Sequence, residues 1–313
     1  MAIRLQPPGI LLVGPTGTGK TSSIATMVKS GIETFVVVTE PDGAASLIDA
    51  CDRVGANIDL LHWREAMPGS AGWSQVEDMI SKINSMNQQQ LADQKDMGKS
   101  GFRDPAMRFL QSFQNFKCDR TGEEYGSPTQ WDATRCLAVD SLTGWCLIAW
   151  GATVGYKPTA NPGEWGIAQN FVFNMLTKIN CDRQCYFILT AHIEKEMDEL
   201  QGIKKLMVSA IGAKLAPKIP PFFSEVVKCE RLQNNEYNWS TFDTGMDLKH
   251  RALPNSNRIK PDFQQIVDAY QRRLRLVGGT TVATPPATPT LAAKPPLVVP
   301  SAPLGPNSVN MKQ

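Results

Sequence analysis

Residues Gly14, Pro15, Thr16, Gly17, Thr18, Gly19, Lys20 and Thr21 fit the pattern G-x-x-x-x-G-K-[ST]. Each position has a job in holding a phosphate chain. Glycines let the backbone turn tightly, with no Cβ to block an anion. Successive N–H groups then point into one concavity. A helix beginning near Lys20 adds the positive end of its dipole. Lys20 can reach the outer phosphates, and the Thr21 hydroxyl can ligate Mg²⁺. The candidate nucleotide-binding set runs from Gly14 through Ser22.

Three further polar residues stand where buried strands end. Residues 33–40 are a β-branched run closing on Glu40, before the turn Pro41, Asp42, Gly43. In an open parallel sheet the crevice lies at the carboxyl ends of the strands. Glu40 is thus a candidate to orient the water that attacks a terminal phosphate. Residues 136–143 form an apolar strand that leads into Asp140 and Ser141. Downstream of a P-loop, such an aspartate is the candidate to hold Mg²⁺ beside Thr21. Residues 185–192 are another apolar strand, closing on His192, a candidate sensor of the terminal phosphate or of bound water. The predicted catalytic set is Lys20, Glu40 and Asp140. ATP and Mg²⁺ are the predicted cofactors.

These residues need strands to carry them and helices to cover the strands. Residues 10–13 read as the strand before the P-loop, and residues 22–31 as the helix after it, stopped by Gly31. Helical spacing covers residues 44–54, 73–87, 145–152, 165–179 and 262–274, and a short strand is expected over 58–63. Residues 88–135 are polar and broken, and read as an insertion with one helix near 105–113. Residues 153–164 read as a loop and 193–213 as a mixed, mobile stretch. A strand is expected over 223–232, then a hairpin within 237–251 that pairs 239–241 with 247–251. The predicted class is α/β, with a mostly parallel central sheet flanked by helices. The core spans residues 1–275. Residues 276–313 hold repeated prolines and read as a disordered tail, a tether or partner-binding segment.

Composition narrows the classes. The chain has 313 residues, 42% hydrophobic and 20% charged, which is ordinary for a globular protein. Net charge is +2, and the tail carries Lys294 and Lys312 with no acid, so the core is neutral. A neutral core argues against a surface coated for duplex binding, yet permits a local basic groove. No apolar run reaches membrane-spanning length, and the N-terminus lacks a signal peptide's apolar segment, so a soluble cytoplasmic protein is expected. The seven cysteines are scattered and read as free thiols. Cys181 and Cys185 have no second pair to complete a zinc site.

With the P-loop, Glu40, Asp140 and His192 in this order, the chain resembles the RecA-type P-loop ATPases. That family places a catalytic glutamate where Glu40 stands and a polar switch residue, often Gln, where this chain has His192. Over residues 8–268 it is similar to the phage-encoded RecA-like Sak group of single-strand annealing ATPases. The segments 140–143, 190–192 and 222–227 carry that likeness, and the 88–135 insertion and the tail lie outside it. The resemblance implies a DNA-stimulated ATPase acting on single-stranded DNA in recombination, assembled as a homo-oligomeric ring or filament. A single-strand-binding protein is an implied partner, and the host cytoplasm the implied location. It places DNA-binding loops at 153–164 and 193–213, with Tyr156, Lys157, Lys204 and Lys205 as candidate DNA contacts. It also suggests that Lys249 and Arg251 reach a neighbouring subunit's ATP. The alternatives are a hexameric helicase-type motor and a non-catalytic assembly protein that uses ATP as a switch.

Overall fold

The computed structural model describes residues 5–92, 100–157, 159–198, 203–212 and 214–278. β1 (Gly9–Val13) leads through the glycine-rich loop to α1 (Lys20–Lys29). β2 (Glu33–Val38), α2 (Gly43–Val54) and β3 (Leu61–Glu65) follow. Next come α3 (Trp73–Ser85), α4 (Gln88–Ala92) and α5 (Ser100–Gln114). β4 (Arg135–Asp140), α6 (Leu142–Val154), α7 (Pro162–Asp182) and β5 (Tyr186–Ala191) form the middle of the chain. β6 (Ile193–Asp198), β7 (Ile203–Val208), β8 (Glu225–Arg231), β9 (Tyr237–Ser240) and α8 (Gln264–Leu276) complete it.

Seven strands make one sheet in the order β3-β2-β4-β5-β1-β8-β9. All neighbours are parallel except β9, which runs antiparallel to β8 at the edge. β1, β4 and β5 are near-continuous apolar runs because both of their faces are covered. Alternate residues feed two cores. Leu11, Val13, Val139 and Leu189 face one side with Phe109, Trp145 and Leu176 of α5, α6 and α7. Ile10, Leu12, Val36 and Ile188 face the other with Ile24, Leu47 and Ile266 of α1, α2 and α8. Among the described residues no helix is long and apolar enough to cross a membrane.

Residues 100–134, read as part of an insertion with one helix, carry that helix and also contribute to the core. Phe109, Phe116, Cys118 and Trp131 are fully or almost fully buried in the first core, and the Phe35 ring lies 4.3 Å from Trp131 and 4.7 Å from His62. The helix expected near 105–113 is α5, which begins earlier, at Ser100, and carries Pro105 inside it rather than at its start. Three other expectations are corrected. Within 193–213, read as a mixed stretch, β6 and β7 pair antiparallel, with Ile193 opposite Val208. The late hairpin pairs β9 with β8, not with 247–251, and Lys249 instead bridges Val226. Finally, β2 ends at Val38, so Glu40 sits in the turn beyond the strand, where Pro41 ends extended pairing. The proline-rich tail lies outside the described residues, apart from 276–278. All seven cysteines are free thiols.

Candidate functional site

The loop after β1 is built on glycines with particular tasks. Gly19 holds φ +81°, a left-handed conformation, and caps the start of α1. A Cβ at Gly19 would meet the Tyr237 ring at 2.7 Å. At Gly14, a Cβ would lie 2.4 Å from the carbonyl oxygen of Cys229 and 2.8 Å from Thr18 Oγ1. Backbone on β8 cannot swing aside as a side chain can. Gly14→Ala is therefore expected to cost about 1–3 kcal/mol of stability through forced displacement of the loop from β8. Urea unfolding measures it, and an unchanged midpoint would show that the loop yields freely.

Lys20 opens α1 and is only 6% exposed. Its ammonium donates to the carbonyls of Gly14 at 2.9 Å and Pro15 at 2.8 Å. Burial pulls its pKa down, opposed by the Cys229 thiol, Asp140 and Glu40. Next to it, the Thr21 hydroxyl donates to Asp140 Oδ2 at 2.7 Å. The other carboxylate oxygen of Asp140 accepts from the Thr190 hydroxyl at the end of β5. Burial raises the Asp140 pKa, and the two hydroxyls and Lys20 only partly offset it.

Glu40 is the more open acid, its side chain 38% exposed. Its Oε1 lies 3.1 Å from His192 Nε2 and also accepts from the Ser141 hydroxyl. The His192 hydrogen bond holds its pKa below the usual carboxylate range against burial, helped by Ser141. Thr39 locks the two turns together: its hydroxyl accepts from Ser141 N at 2.8 Å and donates to the Ser141 carbonyl at 3.1 Å. Ser141 also caps α6, accepting from Gly144 N. Two acids thus share one crevice in opposite states, Glu40 kept ionised and Asp140 driven toward its neutral form, a separation typical of groups with different roles.

The arrangement can seat a phosphate chain on the loop, offer hard oxygen ligands from Thr21 and Asp140, and present an ionised carboxylate on the open side. Among the described residues no cluster of three His, Cys, Asp or Glu forms a ready-made metal cage. A hydroxyl and a carboxylate in contact are the sparse oxygen set that Mg²⁺, which keeps several of its waters, accepts. Beside the loop, Ser22, Tyr237, Asn238 and Arg258 help line a cavity of about 600 Å³.

The structure brings together the whole P-loop, Glu40, Asp140 and His192. The other candidates lie elsewhere. Lys157 is 5% exposed and spends its charge on Glu164 at 2.7 Å. Tyr156 sits in the same turn, half-buried. Lys204 and Lys205 lie on β7, and their side chains fall outside the described residues. Lys249 and Arg251 flank the start of β8, at the opposite end of the sheet from the P-loop. Sequence reasoning missed Thr190 and Thr39, each one hydroxyl within an apolar strand or beside its end. It also missed Tyr237, which carries no signal that it will lie on Gly19. No family model matches the chain, and no curated protein matches it.

Proposed function

We propose that the chain is a RecA-type P-loop ATPase acting on single-stranded DNA. The observation that carries the reading is the meeting of Lys20, Thr21, Asp140 and Glu40 at the carboxyl edge of one parallel sheet. Transfer of a phosphoryl group to water needs positioned phosphates, neutralised charge and an oriented nucleophile. The loop N–H groups and Lys20 position the phosphates. Thr21 and Asp140 would hold Mg²⁺, which supplies charge neutralisation on the phosphate oxygens when bound. Glu40, with its lowered pKa, is suited to orienting a water by hydrogen bond rather than to removing its proton outright. The cavity of about 600 Å³ beside Ser22 and Tyr237 gives room for base and ribose.

The sheet order supports the RecA-type assignment, since β5 stands between the P-loop strand β1 and the strand β4 that carries Asp140. His192 follows β5 directly, and the β6–β7 hairpin follows His192. Contact with a terminal phosphate is thereby linked to the element that the resemblance assigns to DNA. The same resemblance supplies a homo-oligomeric ring or filament, a single-strand-binding partner and a role in annealing. Hydrolysis of ATP, measured with and without single-stranded DNA at two salt concentrations, tests the reading. Stimulation that fades with salt supports it, because phosphate contacts release counterions. Hydrolysis indifferent to DNA overturns the DNA-coupled part.

Asp140 gives a separate expectation. An ionised, buried carboxylate is a cost to folding, and its raised pKa is the sign of it. A raised acid pKa weakens the fold above the unfolded pKa and ceases to do so as pH falls and both states are protonated. An asparagine side chain in its place could keep both hydroxyl partners without the charge. Asp140→Asn is expected to raise the thermal midpoint by about 2–4 °C at pH 7, to lose that advantage near pH 3, and to lose Mg²⁺-dependent hydrolysis. Calorimetry at the two pH values checks it, and a lowered midpoint at pH 7 would contradict it.

A further inference from the structure

The amino ends of the strands form a second pocket, of about 500 Å³, on the side of the sheet away from the P-loop. Gly9 opens β1 there, and Ser224 immediately precedes β8. A five-residue strand puts this pocket ~15 Å from the glycine-rich loop. Among the described residues four cations line it, Arg183, Lys249, Arg251 and Arg273, and no Asp or Glu does. We propose that this pocket binds a phosphate-bearing anion.

Arg183 is the strongest ground. It caps the end of α7 and is 4% exposed. One terminal nitrogen donates to the carbonyls of Pro7 at 2.7 Å and Cys185 at 2.8 Å. Its Nε has no hydrogen-bond partner among the described residues. No carboxylate lies within ion-pair distance of it among those residues either. Burial drives its pKa down to about 10. Its partners, the two carbonyls and the Phe187 ring 6.0 Å away, are all uncharged. Buried charges are ordinarily paired, so a guanidinium held by neutral groups alone at the wall of a pocket suits an anion beside it.

Of the remaining cations, Arg273 is held in place. Arg273 donates to the Arg251 carbonyl at 2.5 Å, and Tyr270 beside it donates to the Leu5 carbonyl at 2.9 Å. The nearby acid, Glu225, is fully buried and accepts from the backbone N–H groups of Arg251 and Ala252 at 2.9–3.0 Å. It interacts electrostatically with Arg273 but does not line the pocket. Three guanidinium forks and one ammonium suit the several oxygens of a phosphate chain better than a single carboxylate.

The anion is free polyphosphate or nucleotide, and the proposal stands without the ATPase reading. The probe is tripolyphosphate, titrated by calorimetry into the Lys20→Ala protein, where the P-loop has lost its cation. Arg183→Gln could fail to fold, so the pocket is tested with Lys249→Gln and Arg273→Gln together. The Lys20→Ala protein is expected to bind one equivalent, more weakly as salt rises, and adding the pair is expected to weaken binding at least tenfold. Absence of binding, or binding that the pair leaves unchanged, overturns the proposal.

Discussion

Replacing Lys20 by alanine is expected to raise the Kd for ATP by about 10²–10³-fold, the effect of losing one charged donor from an oxyanion site. The side chain is buried at the first turn of α1, with its ammonium already inside the loop against two carbonyls. Those carbonyls are weak partners for a charge that burial disfavours. A phosphate oxygen is a stronger one, and little reorganisation is required to reach it. The loss therefore falls on binding itself. Calorimetric titration of ATP measures it, with circular dichroism confirming the fold. A Kd within threefold of the unmodified chain would remove Lys20 from phosphate recognition.

Glu40→Gln should separate binding from turnover. The substitution keeps the size and the contact with the Ser141 hydroxyl, and removes the charge that His192 and Ser141 stabilise. Hydrolysis is expected to fall by about 10²–10⁴-fold, the range for a positioned acid or base, while the Kd for ATP changes less than threefold. The pKa direction adds a pH signature. Glu40 titrates below the usual carboxylate range, so its contribution to activity persists through mildly acid conditions and is lost only as pH falls through that lowered value. Single-turnover hydrolysis followed from pH 4 to 8 reads both. Unimpaired hydrolysis in Glu40→Gln would take the carboxylate out of the mechanism. Unimpaired biological function with hydrolysis abolished would favour an ATP-switched assembly protein.

What could be read from the sequence followed the physics of each signal. The P-loop was legible because its glycines, lysine and threonine are local requirements of one short loop. Asp140 and His192 were legible because apolar β-branched runs ending in a polar residue mark strand ends. The run ending in Glu40 was legible too, although Pro41 releases the acid into a turn beyond the strand. The helix near 105–113 was legible, but the burial of Phe109, Phe116 and Trp131 was not, because they are separated by polar residues and find their partners, such as Phe35, only in three dimensions. The hairpin over 193–208 was hidden by its charged residues, which leave no alternation to read. The pairing of β9 with β8 rather than with 247–251 depends on a turn at 232–236, whose Asn235 takes a positive φ that composition does not announce. The burial of Arg183 among neutral groups could not be seen at all, since an arginine at a helix end is ordinarily a surface charge.

The central place of β1 has a consequence for how the molecule comes into being. β1 is made well before its partners, β5, about 180 residues later, and β8, about 215 residues later. Contacts so far apart in sequence form slowly, because the closure entropy must be met before any pairing stabilises it. Until β8 is made, Gly14 has no Cys229 carbonyl to rest against, and the loop has no wall. The feature easiest to read in the chain is thus among the last to exist. A nascent or truncated chain carries the P-loop letters without the P-loop, and under the proposed function the acquisition of nucleotide affinity would serve as a clock for completed folding.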